Sequence, residues 1–259
     1  MSDKKNVFIT GATQGIGYEF AKLFAKDRYS LFLVARSLDH LNKVKTELEH
    51  VYNANVTVFA KDLSEPSAAE DVAKVLADKS INIDILINNA GFGTHGEFVA
   101  IPLEDDKNQL NVNIVALTML TKLLLSGMVK RGCGKILNVA STAAFQPGPR
   151  MAVYYATKAY VLSFSEALSE EVKGTGVTVT ALCPGPTDTG FSKRATLEDS
   201  KLFGGMLPIM DPKQVAAIGY EGLMKGKRVV IPGFENAVSV FLSKLAPHAV
   251  TLRIIKQIQ

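Results

Sequence analysis

The chain has 259 residues, 47% hydrophobic and 21% charged, a composition that folds around a buried core and excludes a disordered polymer. Its formal net charge of +4 is spread among interspersed acids and bases, which argues against nucleic acid as a partner and leaves room for the phosphates of a small cofactor. Cys133 and Cys183 stand far apart and outside any CxxC pattern, and the four histidines lack ligand spacing, so no disulfide framework and no metal site are expected.

Met1-Ser2-Asp3-Lys4-Lys5 leads into Val7-Phe8-Ile9 without the longer apolar run of a signal peptide, and no uninterrupted apolar stretch reaches about 20 residues. A reducing, cytoplasmic setting is the expectation. Residues 6–10 read as a strand, followed by Thr10-Gly11-Ala12-Thr13-Gln14-Gly15-Ile16-Gly17 and a helix over 15–26. Further strands are predicted at 30–35, 56–60, 83–88, 134–140, 177–183 and 229–231. Helices are predicted at 38–51, 66–78, 103–131, 151–173 and 212–224. Short, continuous apolar strands separated by helices indicate a parallel sheet buried on both faces. The expected fold is therefore α/β: one doubly wound, Rossmann-like domain with helices on both faces of the sheet. In such sheets ligands bind at the carboxyl ends of the strands where strand order reverses. The glycine turn, Asn88-Asn89-Ala90-Gly91, Ser141 and Pro184-Gly185 all follow predicted strands and so point at one crevice.

Gly11, Gly15 and Gly17 sit between a strand and a helix, where missing side chains permit a tight turn and close backbone approach to a pyrophosphate. Their spacing departs from the Gly-x-Gly-x-x-Gly fingerprint, so that general rule is only partly met. Tyr154 and Lys158 lie four apart on a predicted helix and share one face. A free phenol has a pKa of about 10, too high for proton exchange near neutrality. A cation about 4 Å away at an effective dielectric near 20 favours the phenolate by roughly 4 kcal/mol, which would bring Tyr154 toward neutrality. Tyr155 has Ala159 at the equivalent position and is read as a packing residue. At the end of the second strand, where an acidic residue usually meets the ribose 2′-hydroxyl of NAD, stands Arg36, followed by Ser37. A guanidinium suits a 2′-phosphate, so NADP(H) is the expected cofactor.

Thr10-Gly11-x-x-x-Gly15-Ile16-Gly17, Asn88-Asn89-Ala90-Gly91, Asn113, Ser141, Tyr154-x-x-x-Lys158 and Pro184-Gly185 occur in that order, and together they resemble the short-chain dehydrogenase/reductase family from about Asn6 to Ile231. The resemblance implies an NADP(H)-dependent carbonyl reductase or alcohol dehydrogenase that interconverts a ketone and a secondary alcohol. In it Ser141 bonds the substrate oxygen, Tyr154 is the general acid or base, and Lys158 lowers the Tyr154 pKa and holds the nicotinamide ribose. Asn113 anchors a proton-relay water. The implied cofactor contacts are the glycine turn with Thr13, Gln14 and Ile16, Arg36 and Ser37, and Asp62 and Leu63 at the adenine edge. They continue with Asn89, Ala90 and Gly91, then Pro184 and Gly185, and Thr187 or Thr189 at the carboxamide, Thr189 being preferred.

By position, residues 188–210 resemble the family's substrate lid, and their apolar content suggests a hydrophobic ketone. Phe92, Phe145, Met151, Phe191, Phe203 and Met206 are the expected pocket residues; no charged residue is obviously placed to bind a carboxylate, with Arg150 the one candidate. The family's dimers and tetramers imply a homodimer or homotetramer built on the long helices 103–131 and 151–173. Residues 235–259 extend beyond the family core and are expected to add helices over the lid or a neighbouring subunit, with interfacial membrane contact the weaker expectation. A 3-oxoacyl or steroid-like reductase is a near variant, and a non-enzymatic NADP(H) sensor is the alternative from another class. Ser141 lacks the Gly-x-Ser-x-Gly elbow of a hydrolase, and Val161 stands where the family's enoyl reductases carry lysine.

Overall fold

The computed structural model describes residues 5–190, 208–245 and 252. Seven strands, β1 (Asn6–Thr10), β2 (Ser30–Ala35), β3 (Asn55–Ala60), β4 (Ile85–Asn88), β5 (Gly134–Val139), β6 (Val177–Leu182) and β7 (Val229–Val230), form one sheet in the order β3-β2-β1-β4-β5-β6-β7. Every neighbouring pair is parallel. The expected α/β doubly wound architecture is therefore present. The connections are α1 (Gly15–Lys26), α2 (Leu38–Tyr52), α3 (Ala68–Asp78), α4 (Leu103–Leu110), α5 (Leu117–Arg131), α6 (Ala152–Glu171) and α7 (Pro212–Met224), and α8 (Phe234–Leu245) follows β7.

Parallel strands are joined by crossovers on both faces, so each strand must bury both rows of side chains. In β1, Val7 and Ile9 enter one core cluster and Phe8 the opposite one; β4 divides Ile85 and Ile87 from Leu86 in the same way. This is the two-residue period of a strand carried through an unbroken apolar run. The helices meet the sheet with a stripe: Gly17, Phe20, Ala21, Phe24 and Ala25 of α1 are buried at spacings of three and four. Phe24 meets Tyr29 and Tyr220 edge-on at 5.2 and 4.9 Å, which joins α1 to α7.

Most element ends fall within two residues of the sequence expectation, and two departures have local reasons. The strand expected from 83 starts at Ile85, because the Asp84 carboxylate accepts the Asn6 N–H at 2.8 Å in place of a ladder bond. The helix expected over 103–131 is continuous but passes through a π-helical turn at Asn111–Ala116, a form that clusters at functional sites. Although the sequence holds no uninterrupted apolar run of bilayer length, the helix Leu103–Arg131 has the length and composition to cross one. In this fold it lies on the sheet with Leu117, Leu120, Thr121 and Met128 buried.

Phe24 is fully buried and carries the α1–α7 contact, so Phe24→Ala is expected to lower unfolding stability by about 3–5 kcal/mol, read by urea denaturation followed by circular dichroism.

Candidate active site

The strand order reverses between β1 and β4, which opens a crevice where the carboxyl ends of β1, β4, β5 and β6 meet. A cleft of about 1030 Å³ occupies it, at the upper end of the range for small-molecule sites. Gly11, Gly15, Asn89, Ala90, Gly91, Ser141, Tyr154, Lys158, Pro184 and Gly185 converge there, while Thr10, Ala12, Gly17, Asn88 and Asn113 lie behind the wall.

Gly11 and Gly15 of the β1–α1 turn have φ of +67° and +57°. A Cβ on Gly17 would stand 2.4 Å from both the Asn89 amide nitrogen and the Gly11 carbonyl oxygen, so this glycine permits helix and strand ends to pack. A Cβ on Gly15 would meet Thr189 at 2.9 Å. Thr13, Gln14 and Ile16 line the cleft beside them. Asn89 does more than line the wall: its amide donates to the Thr10 and Gly11 carbonyls, both at 3.0 Å, while the Thr10 hydroxyl accepts the Asn89 and Ala90 N–H groups. Asn88, within β4, is buried instead in a network with Thr121 and Asn138. The result is a bare backbone surface at the start of α1, where a helix dipole favours anionic phosphate.

At the far end of the cleft, Arg36, Ser37, Asp62 and Leu63 are all in the wall. Arg36 is exposed and makes no ion pair among the described residues. Ser37 caps α2, its hydroxyl oxygen accepting the His40 N–H at 3.3 Å, which leaves its O–H free to donate. Asp62 accepts from the Ser64 N–H and O–H. His40 and Lys61 also line this end; His40 is read from sequence as a surface or packing histidine. The signal that would have found it is the cap itself, since Ser37 fixes the first turn of α2 beside Arg36. Lys61 is neutralised by Glu65 and Asp71.

Tyr154, Tyr155 and Lys158 come from α6. Tyr155 is buried as expected, its ring against Gly148, where a Cβ would stand 2.3 Å away, and its edge toward Tyr154. The ammonium of Lys158 donates to the Val139 carbonyl at 2.8 Å and lies 5.8 Å from the centre of the Tyr154 ring. Burial pulls Lys158 down to about 8 from the usual 10.5. Burial also holds the Tyr154 phenol well above its ordinary value, against a hydrogen bond from Ser141 that lowers it. The expectation that Lys158 brings Tyr154 toward neutrality is thus not met in this structure: the lysine charge is directed at a carbonyl, and desolvation dominates both groups.

Ser141 follows β5, its hydroxyl oxygen accepting the Ala143 N–H at 3.1 Å, while its single O–H has the Tyr154 phenol and, at 3.4 Å, the Pro184 carbonyl as competing acceptors. Asn113, in the π-helical turn, accepts the Phe92 N–H at 3.1 Å and donates to the Phe92 carbonyl at 2.9 Å and to Thr157 at 3.0 Å. Thr157 in turn donates to the Tyr154 carbonyl at 2.7 Å. The side chain of Asn113 therefore ties the β4 loop to α6 and has no spare donor for the implied water; one lone pair of its oxygen remains. A Cβ on Gly91 would touch both that oxygen, at 3.1 Å, and the Lys158 nitrogen, at 3.4 Å.

After β6, Pro184, Gly185, Thr187 and Thr189 line the cleft. The Thr187 hydroxyl donates to the Gly185 carbonyl at 2.9 Å. Of the expected pocket residues, Phe92 and Met151 line the cleft. Phe145 does not: it packs against the cluster around Leu117, Val161 and Leu162, with Lys244 over its ring at 4.8 Å. Arg150 is exposed, with its main chain bonded to Gly96, and is absent from the wall. Phe191, Phe203 and Met206, most of the expected lid and nearly all of 246–259 lie outside the described residues. Sequence reasoning missed Ser239, Val240 and Ser243 of α8, which wall the cleft; their signal was the spacing of small and apolar residues on one helix face.

Residues 5–200 match the short chain dehydrogenase family pattern. The chain is similar to the ketoacyl reductase HetN of Nostoc, 31% identical over 242 residues that cover 93% of this chain and 82% of HetN. It is also similar to the very-long-chain 3-oxoacyl-CoA reductase of Mus musculus, 34% identical over 189 residues, 71% of this chain and 60% of the mouse protein. The chain thus spans about six tenths of the mouse reductase's length. A solved short-chain dehydrogenase from Sphingobium yanoikuyae, in complex with NADPH, superposes with a TM-score of 0.84 at 30% identity over 95% of each chain.

Between about pH 8 and 10.5 the unfolded chain keeps the Lys158 proton and the folded chain does not, so this group makes the native protein more stable as pH rises through that window. Lys158→Met is expected to gain roughly 1–3 kcal/mol over the native chain at pH 7 and to lose that advantage by pH 10, measured by urea titrations of both proteins at the two pH values.

Proposed function

The chain belongs to the short chain dehydrogenase family, and we propose that this oxidoreductase uses NADPH to reduce a ketone carried on a long apolar chain to the secondary alcohol, with a 3-oxoacyl thioester the favoured substrate class. The observation that carries the reading is the Tyr154 phenol in the switch-point cleft, hydrogen-bonded by Ser141 and held protonated by burial. A protonated phenol is the form needed by an acid that completes a carbonyl reduction.

NADPH, when bound, supplies the hydride to the carbonyl carbon. The residues fit it: the bare glycine turn takes the pyrophosphate, and Arg36 stands exposed for a 2′-phosphate. Lys158 reaches past Gly91, where no side chain blocks ribose hydroxyls. As negative charge develops on the substrate oxygen, the hydroxyls of Ser141 and Tyr154 donate to it, and the Tyr154 proton passes to that oxygen as the new O–H forms. The phenolate left behind is favoured by the Lys158 ammonium, charged below about 8. Asn113 and Thr157 fix the main chain at Tyr154 and so hold the phenol in place.

The 3-oxoacyl preference rests on the similarity to HetN and the mouse reductase and on the apolar wall formed by Phe92, Met151 and Val240. It is tested by NADPH oxidation against 3-oxoacyl thioesters of increasing length, with aryl ketones and NADH run in parallel. Turnover that rises with chain length supports the class. NADPH binding without turnover of any ketone sinks it in favour of a cofactor sensor.

Tyr154→Phe keeps the ring and removes the proton donor, so kcat is expected to fall by about 10²–10⁴ while the NADPH Kd from calorimetry changes little; an unchanged kcat would eliminate Tyr154 as the acid. Arg36→Leu is expected to weaken NADPH by roughly 10–100-fold and NADH much less, read as the ratio of the two dissociation constants.

A further inference from the structure

We propose that α8 docks the protein on the surface of an anionic lipid bilayer, its outward face seated in the interfacial layer. Phe234, Val238, Phe241, Leu242 and Leu245 recur at steps of four, three, one and three, which at 3.6 residues per turn confines them to one arc of about 100°. A helix on a globular protein normally turns such a stripe inward. Here the inward face is a different one: Asn236 and Val240 are buried, and Ser239, Val240 and Ser243 wall the cleft. The stripe faces solvent, with Phe234 81%, Phe241 62% and Leu245 68% exposed.

A second apolar cluster stands at the same carboxyl end of the sheet. Phe98, Val99 and Leu103 lie in and just after the loop from β4, and Val99 is 90% exposed. Two exposed apolar patches on separate elements at one end of the sheet suit a broad surface better than a single groove. The α8 stripe offers on the order of 500 Å² of apolar area, short of the roughly 800 Å² per partner that a stable protein interface buries. Along α8 Glu235 is balanced by Lys244, and the whole chain carries a formal net charge of +4. That excess of cations opposes pairing with a second copy and favours anionic headgroups, the combination used by helices that lie in a membrane interface. The mount is firm: the Asn236 amide donates to the Pro232 carbonyl at 2.8 Å and Lys244 rests over Phe145, so docking requires no unfolding of α8.

The test is co-sedimentation of the full chain with phosphatidylcholine vesicles, with and without about 30 mol% phosphatidylserine, alongside sedimentation equilibrium without lipid. The native chain is expected to partition onto the anionic vesicles and less onto neutral ones. Phe241→Ser combined with Leu245→Ser is expected to weaken partitioning by roughly tenfold or more while leaving the NADPH Kd unchanged, which shows an intact fold. Val99→Ser, in a loop remote from the fold's core, is the second variant and is expected to weaken partitioning to a lesser degree. Absence of binding to both vesicle types overturns the proposal. So does a dimer in solution that the double variant dissolves, which assigns the stripe to a second copy, and so does a large fall in melting temperature of the double variant without vesicle binding, which assigns it to the chain's own residues 246–259.

Discussion

The side-chain amide of Asn89, bonded to the carbonyls of Thr10 and Gly11, ties the end of β4 to the turn after β1 across the point where the strand order reverses. A doubly wound sheet leaves a gap at that point because its two halves send their connections to opposite faces. Without a tie, two loops would border the gap with their main-chain groups unpaired. Thr10 and Asn89 satisfy those groups reciprocally, and the gap becomes a wall of defined shape. Gly17 follows from the same constraint, since any side chain there would collide with the Asn89 amide and the Gly11 carbonyl.

The chemistry at the other end of the cleft is set by desolvation. Lys158 sits almost wholly buried with one carbonyl for a partner, and Tyr154 shares its surroundings with Ser141. Low polarity disfavours both the ammonium and the phenolate, so it lowers one pKa and raises the other. The two shifts bring the groups toward a common pH range only if something else stabilises the charged forms. Developing negative charge on a substrate oxygen is such an agent: it strengthens with the reaction and is felt more in a site that excludes water. The resting geometry is therefore suited to giving a proton rather than to taking one.

Strands and most helices were legible from sequence because parallel strands read as unbroken apolar runs and α1 as a stripe at three and four. The strand-end residues were legible because topology alone brings Gly11, Asn89, Ser141 and Gly185 together. What was not legible depends on directions that spacing does not encode. Lys158 lies one turn from Tyr154, as its position implies, yet its ammonium is aimed at Val139. Asn113 falls in a π-helical turn that no propensity marks, and its amide is spent on Phe92 and Thr157. Phe145 is apolar and near the site in sequence, but the short 3-10 turn after Ser141 points it into the core behind α6.

The C-terminal helix shows how one element can carry two independent patterns. Its Ser239, Val240 and Ser243 face the cleft, and buried Asn236 fills the space that a side chain at Gly185 would take. Its large residues face away. Burial thus selects for small side chains on the inner face, because the Pro184–Gly185 turn approaches closely there, while among the described residues none packs over Phe234, Phe241 or Leu245 closely enough to bury them. Large apolar side chains on the solvent face of a helix contribute nothing to the packing beneath them and carry a solubility cost. Asn236, whose amide donates to the Pro232 carbonyl, packs closely against Gly185 and so sets α8 against the turn that borders the reacting groups.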